Sequence, residues 1–270
     1  MSAATHTLGR SPAWVVHAGA LRRFAAVFVA GGLAGMIVGG IGSRVAMRIA
    51  AIAAPESVRG VPTEAGARIG EITLEGTLFL LLFAGVSSAF VGTSFYLAVR
   101  SWLPRRRWIR GLAFGTLELL VFGTLILDAG NPDFTILGNS VLNVALFGSL
   151  FMLHGVLLVL LVEPSGRLVG WVAGETRWRG AAVDVAAALA ATLTVLLTAI
   201  IIPAFGLRLG PLGPAVAVLV ACAVGLAALD PGRTRPLTRP LLTLVGGVAL
   251  ALIAVGGTVQ LFDELTAILG

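Results

Sequence analysis

Long uncharged apolar runs dominate the chain between residues 24 and 262. A helix needs roughly 20 residues to cross about 30 Å of hydrocarbon, and runs of that order occur seven times. The predicted spans are Phe24–Ser43, Thr77–Val99, Gly111–Leu127, Phe134–Val162, Ala181–Ile202, Leu212–Leu229 and Leu241–Phe262. This pattern predicts an all-α fold, a polytopic integral membrane helix bundle of about seven transmembrane helices.

Arginine placement gives the bundle a predicted direction. All nineteen basic residues are Arg. With the N-terminus inside, the inner segments hold fourteen of them and the outer loops three. Cytoplasmic loops carry an excess of basic residues, so we expect the N-terminus inside and the C-terminus outside.

Polar residues divide the predicted bundle into parts. Residues 1–162 form a four-span module that holds the intramembrane polar residues, and residues 163–180 are expected to lie along the inner interface as a linker. Residues 181–270 form a three-span module rich in Ala, Val and Leu.

Composition supports a lipid-facing surface. The chain is 57% hydrophobic and 12% charged, with a mean hydropathy of +0.99, whereas soluble domains carry about 25% charged residues. The net charge of +6 is explained by basic inner loops rather than by nucleic-acid binding. We therefore expect the lipid bilayer as the surroundings, no nucleic-acid partner, and a multi-pass cell-membrane location of the bacterial plasma-membrane type.

Several kinds of chemistry are disfavoured by what the sequence lacks. Without Lys there is no retinal Schiff base and no P-loop of the form GxxxxGK[ST]. The single cysteine, Cys222, allows no disulfide within the chain and no cysteine metal site. No HExxH or GxSxG motif is present. We predict no catalytic residue, cofactor or metal site, and we do not expect an enzyme.

Glu118 is the strongest candidate for a functional residue. A charged group at the centre of a membrane helix costs about 2.5–3.5 kcal/mol on insertion scales, and Glu118 has apolar residues on both sides. Counting depth from the outer helix ends places Ser87, Ser88 and Asn143 at a similar level. The predicted midplane site of Ser87, Ser88, Glu118 and Asn143 either binds a cation or relays a proton, or else a protonated Glu118 serves only as a packing hydrogen bond.

Two pairs of charges flank the first outer loop. Arg44 and Arg48 are four residues apart, as are Glu71 and Glu75, so each pair lies on one helix face. An antiparallel hairpin of the first two spans brings the pairs together. The predicted charge clasp is either structural or part of an outer gate or anion site.

Other polar residues are expected to have local roles. Asp128 and Asp133 lie in an outer loop, where they either form turns and helix caps or make an acidic mouth for cations. His154 is expected to be a hydrogen-bonded interior residue. Asp184 is expected to reach lipid headgroups or to pair with Arg177 or Arg179.

Two glycine stripes predict close helix packing. Gly31, Gly35 and Gly39 repeat every four residues on the first span, and Gly111 and Gly115 do so on the third. GxxxG faces let membrane helices approach closely. The first stripe is also a candidate contact face for a membrane protein partner or a homo-oligomer.

Two functions remain open from the sequence. The leading hypothesis is a small-solute or ion transporter or channel that uses the site around Glu118. The alternative is a non-catalytic membrane scaffold or accessory subunit that packs through glycine-rich helix faces. A hydrated cavity reaching Glu118 distinguishes the first from the second.

Overall fold

The structure is a computed structural model that describes residues 13–62, 68–69, 71, 73–131, 136–208, 213–228 and 238–270. Among these residues the regular elements are all helical, and an isolated bridge between Pro62 and Arg68 is the nearest approach to a strand. The fold is therefore an all-α bundle, as predicted.

The first two spans each contain a π-helical segment. The first span runs through α1 (Ala13–Ala34), a π-helix (Gly35–Gly42) and α2 (Ser43–Ala53). The second consists of α3 (Leu74–Ser87), a π-helix (Ser88–Gly92) and α4 (Thr93–Val99). The remaining helices are α5 (Arg107–Phe122), which ends in a 3-10 turn (Gly123–Leu125), α6 (Ser140–Gly174), α7 (Arg177–Arg208), α8 (Gly213–Ala228) and α9 (Thr238–Leu269).

Six helical segments of the described chain are long and apolar enough to cross a membrane. They lie within Gly19–Ala53, Leu74–Val99, Arg107–Leu125, Ser140–Gly174, Arg177–Leu196 and Pro240–Leu269. The chain is therefore a multi-pass membrane protein. Helix α8 corresponds to the predicted sixth span and has 16 residues, so a seventh crossing and the direction of the bundle remain predictions.

Side-chain caps begin two of the spanning helices. The Oγ1 atom of Thr73 accepts a hydrogen bond from the backbone N–H of Gly76 at the start of α3. Asn139 caps α6 in the same way through the N–H of Leu142, directly after Gly138 with φ +72°. Both caps satisfy an N–H group that a helix start leaves without a partner.

The predicted linker at residues 163–180 is mostly helical. Helix α6 continues through Pro164 to Gly174 as one element of 35 residues, about 52 Å long. Proline removes one N–H from the ladder, which membrane helices tolerate. Glu163 helps to continue the helix, because it pairs with Arg167 one turn later and with Arg107 at the start of α5.

The first span also continues past its predicted end. Helix α2 reaches Ala53 rather than Ser43, so Arg44 and Arg48 are helical.

The end of the bundle that carries Arg22, Arg107 and Arg167 is called the arginine-rich end below. There Asp184 on α7 accepts two hydrogen bonds from Arg22 on α1, at 2.9 and 3.1 Å, instead of pairing with Arg177 or Arg179 as expected.

Helices α5 and α6 pack with their backbones in contact. A Cβ atom on Gly155 would lie 2.3 Å from the backbone nitrogen of Gly115 and 2.6 Å from the carbonyl oxygen of Gly111. A Cβ atom on Gly115 would lie 2.6 Å from the carbonyl oxygen of Phe151. The predicted packing role of Gly111 and Gly115 is thus present in the structure, and it brings α5 against α6.

We predict that Gly155→Ala destabilises the protein by about 1–3 kcal/mol, because the added methyl group has no space between the two backbones. Gly148→Ala on the same helix is the matched control, since nothing lies within 4 Å of a Cβ atom there. The measurement is the free energy of unfolding in mixed detergent micelles. Equal values for the two variants would contradict the close contact.

We also expect the C-terminus to lie on the side opposite the N-terminus. In a Cys222→Ser background, Gly270→Cys in intact cells should react with a membrane-impermeant maleimide. A cysteine placed at Gly166, beyond the arginine-rich end of the hydrocarbon layer, should react only after the cells are opened. The reverse pattern would show that the arginine-rich end faces out.

Candidate functional site

Three side chains from three spans form a continuous hydrogen-bonded chain. The carboxyl Oε2 of Glu118 on α5 lies 2.8 Å from Nδ1 of His154 on α6. The other imidazole nitrogen, Nε2, lies 2.6 Å from Oγ of Ser88 on the second span. Oγ of Ser88 in turn donates to the carbonyl oxygen of Gly31 on α1, at 2.7 Å. The chain therefore links four elements of the bundle.

The glycine contact between α5 and α6 positions Glu118 beside His154. Glu118 follows Gly111 and Gly115 at spacings of seven and three residues, which places all three on one helix face. His154 directly precedes Gly155, the glycine that packs against them. Because the backbones touch, the side chains of Glu118 and His154 meet over a short distance, and Glu118 is only 4% exposed.

A π-helical turn and a second glycine contact position Ser88. Ser88 begins the π-helix of the second span, and single π-helical turns in helices occur frequently at functional sites. A Cβ atom on Gly35 would lie 2.4 Å from Cβ of Ser88, and one on Gly31 would lie 3.0 Å from its carbonyl oxygen. The first span therefore approaches Ser88 closely enough for its hydroxyl to reach Gly31.

The hydrogen-bonded chain from Glu118 to Gly31 lies near the middle of the membrane. The Arg107–Glu163 ion pair marks the arginine-rich end of α5 and α6. Glu118 follows Arg107 by eleven residues and His154 precedes Glu163 by nine, which is about 16 and 14 Å along a helix. Half of a hydrocarbon layer of about 30 Å is about 15 Å, so the site is at midplane depth.

The positions of the protons along the hydrogen-bonded chain follow from how many hydrogens each group can donate. A serine hydroxyl has one hydrogen, and Ser88 donates it to the carbonyl of Gly31. In the arrangement in which Ser88 donates to Gly31, the imidazole donates from Nε2 to Ser88. The short contact between Nδ1 and Glu118 then needs one further proton, held as a carboxylic acid or as an imidazolium beside a carboxylate. This arrangement of hydrogens is called the proton-loaded form of the site below.

Loss of one proton reverses the donor and acceptor roles along the hydrogen bonds that link Glu118, His154 and Ser88. Nδ1 of His154 then donates to the Glu118 carboxylate, and Nε2 becomes an acceptor. The Ser88 hydroxyl can satisfy Nε2 only by turning away from the carbonyl of Gly31. Proton loss at Glu118 is thereby coupled to a hydrogen bond between the first and second spans.

The structure brings together some of the predicted midplane residues. Ser88 and Glu118 are connected, but through His154, while Ser87 is partly buried. Asn143 lies eleven residues before His154 on α6, about 16 Å along the helix, so it is not at the site. Counting from the outer helix ends misplaced it, because α6 starts at Ser140 rather than at Phe134 and extends far past the membrane.

Asn143 has a separate, apolar setting. It is 1% exposed, and neither its amide nitrogen nor its amide oxygen has a hydrogen-bond partner among the described residues. The structure gives no physical account of why this amide is retained.

The first two spans bring Arg44 of the predicted charge clasp beside the start of α3. The Arg44 guanidinium lies against the first turn of α3, where a Cβ atom on Gly76 would be 2.7 Å from its Nη2. No ion pair joins Arg44 to Glu71 or Glu75 within the described ranges, and both glutamates are exposed. Arg48 has an interaction of its own, so the clasp of Arg44, Arg48, Glu71 and Glu75 stays a prediction.

Asp128 takes the local role that its sequence context favours. Its Oδ1 atom accepts a hydrogen bond from the N–H of Gly130, at 2.8 Å, as in an Asx turn. Glu264 on α9 accepts from the N–H of Ala129 in the same turn. Asp133 lies outside the described residues.

The first glycine stripe is used within the chain. Cβ atoms on Gly35 and Gly39 would lie 2.4 Å from the carbonyl oxygen of Ala84 and 2.8 Å from its Cβ atom, respectively. The second span covers this face, so a membrane protein partner or a homo-oligomer would have to use another surface. The association itself stays a prediction.

His154 is the functional residue that sequence reasoning undervalued. It was expected to be hydrogen-bonded in the interior, and it is, but its two partners make it the centre of the site. One signal in the sequence indicates that His154 and Glu118 meet. His154 adjoins Gly155, and Glu118 shares a helix face with two glycines. Matching these glycine faces places the two residues at one level.

We predict that Ser88→Ala lowers the free energy of unfolding by about 1 kcal/mol, because the partly buried imidazole loses a hydrogen-bond partner. Ser87→Ala should change it much less. Unfolding in mixed micelles compares the two. A larger effect at Ser87 would contradict the assigned hydrogen-bond chain.

Comparison of the chain with protein-family models, with curated proteins and with solved structures finds no match.

Proposed function

We propose that the protein is a small transporter that moves protons, or a small solute or ion together with protons, and that Glu118 is the group that carries the proton. The observation that carries this proposal is the continuous chain from Glu118 through His154 to Ser88 at midplane depth. Ionisable groups within membrane spans are costly and commonly mark ion pathways and proton relays.

The imidazole suits the site to proton transfer. His154 bonds through both nitrogens, so a proton taken up on one side is released from the other when the tautomer changes. Neither partner needs to move far, because the two contacts are 2.8 and 2.6 Å.

The bond between Ser88 and Gly31 supports coupling to a conformational change. It holds the second span to the first in the proton-loaded form and is lost when the proton leaves. A transporter needs such a differential contact between its two states, because a ligand shifts an equilibrium only by its different affinity for each state.

In the described conformation the Glu118 carboxyl group is buried, whereas the His154 side chain is 14% exposed. Glu118 is 4% exposed, and the apolar groove on the neighbouring face of α5 is lined by Thr116 and Leu117 rather than by Glu118. Transport therefore requires a second conformation in which water reaches the carboxyl group.

Serine, histidine and a carboxylate also form the nucleophile, base and orienting group of hydrolases. That chemistry also needs free N–H donors for an oxyanion, and the N–H of Ser88 is not one of them. Its own N–H is bonded to the carbonyl oxygens of Ala84 and Gly85 inside the helix. The arrangement therefore favours transfer of a proton over transfer of an acyl group.

The competing function is a scaffold or accessory subunit, in which the chain of hydrogen bonds only fixes the packing of four helices. Both functions use the same contacts, and the burial of Glu118 in the described conformation fits the accessory function. Only a transporter exchanges the proton with water. A measurement of proton flux across the membrane distinguishes the transporter from the accessory subunit.

We predict that purified protein in proteoliposomes dissipates an imposed pH gradient, alone or with a co-transported solute, and that Glu118→Gln reduces this flux at least tenfold. The amide keeps the size of the side chain but cannot bind and release a proton. A pH-sensitive dye trapped in the vesicles measures the flux, and ion and solute panels identify the cargo.

Glu56→Gln is the control for the same chemical change, since Glu56 is exposed at the start of a 3-10 turn between the first two spans. It should retain wild-type flux. Absence of flux from the wild-type protein across the whole panel would contradict the proposal and favour the accessory function. Equal flux from wild type and Glu118→Gln would show transport by a route that does not use this site.

A further inference from the structure

An open groove runs between α5 and α9 near the arginine-rich end. Its volume is about 470 Å³, within the range of about 300–1,000 Å³ typical of ligand sites. Its walls are apolar side chains and glycine, apart from Thr116. The hydroxyl of Thr116 donates its hydrogen to the carbonyl oxygen of Leu112 on its own helix, so the groove offers an apolar surface.

The groove is shorter along its helices than one membrane leaflet is thick. On α5 the lining extends from Ala113 to Leu120, and on α9 from Gly247 to Ala254. Seven residues of helix measure about 10 Å, whereas one leaflet of the hydrocarbon layer is about 15 Å and a spanning helix covers about 30 Å. The groove therefore fits a lipid acyl chain and is too short to receive a partner's transmembrane helix along its length.

Trp102 forms the end of the groove nearest the membrane surface. Its indole ring lies against α9, because Cβ atoms on Gly246 and Gly247 would be 2.3 and 3.4 Å from ring atoms. The indole N–H donates to the carbonyl oxygen of Thr243, at 2.8 Å. Tryptophan is enriched at membrane–water interfaces, so this end is at headgroup level.

Two exposed cations follow this end of the groove in the chain. Pro104 lines the groove, and Arg105 and Arg106 come directly after it, both exposed. Arg110 holds this turn in place by donating to the carbonyl oxygen of Pro104, at 2.8 Å. Basic side chains at this depth attract anionic lipid headgroups.

We infer that the protein binds an anionic phospholipid in this groove, with one acyl chain between α5 and α9 and the phosphate beside Arg105 and Arg106. The charge, the tryptophan and the depth of the groove agree on one occupant, a lipid of the leaflet at the arginine-rich end. This inference does not depend on transport.

The test is native mass spectrometry of the delipidated protein with phosphatidylglycerol or phosphatidylcholine of the same acyl chains. We expect at least fivefold tighter binding of phosphatidylglycerol. Arg105→Gln combined with Arg106→Gln should abolish this preference, because the phosphate loses its cations. Ala251→Phe should lower phosphatidylglycerol binding at least fivefold, because a phenyl ring occupies the groove.

Matched control variants distinguish lipid binding in the groove from the effects of overall charge and of side-chain size. Arg23→Gln combined with Arg177→Gln removes two exposed charges at the same end and should keep the preference. Ala186→Phe adds the same ring at an exposed position of α7 and should keep the affinity. Circular dichroism confirms that each variant is folded.

Equal affinity for the two lipids would overturn the proposal. So would an equal loss in the Arg23/Arg177 variant, which would show attraction to the whole arginine-rich end. Unchanged binding in Ala251→Phe would exclude the groove as the place of the acyl chain.

Discussion

The carboxyl group of Glu118, buried at midplane depth, is the constraint on which the rest of the site depends. An acid in hydrocarbon needs a hydrogen-bond partner from the protein, because no bulk water is present. His154 provides it, and Ser88 and the carbonyl of Gly31 complete the chain. Four elements are thereby held in one register by a group that insertion disfavours.

Glycine makes this polar chain geometrically feasible. Backbones that lie close together bring these side chains within hydrogen-bond distance of one another. Gly115 and Gly155 allow this between α5 and α6, and Gly31 and Gly35 allow it between the first two spans. The packing faces and the functional site are thus parts of one arrangement rather than separate features.

The arginine-rich end has a different physical role. Its ion pairs join helices at the surface: Arg22 with Asp184, and Arg107 with Glu163. Exposed pairs of this kind contribute little stability in general. Their placement is more informative than their strength, since unpaired cations beside the groove give this end an affinity for anionic headgroups while the paired ones fix the helix ends.

Sequence alone determined the all-α membrane bundle, because apolar length is set by bilayer thickness and every backbone group in lipid must bond within its own helix. It also identified Glu118, since a lone acid among apolar residues is visible without coordinates. Tertiary structure decided the partners. Depth counting selected Asn143 and passed over His154, because the levels of residues on different helices depend on where each helix begins, how far it extends and which glycines touch. Those quantities are properties of packing between segments distant in sequence, so no single span contains them.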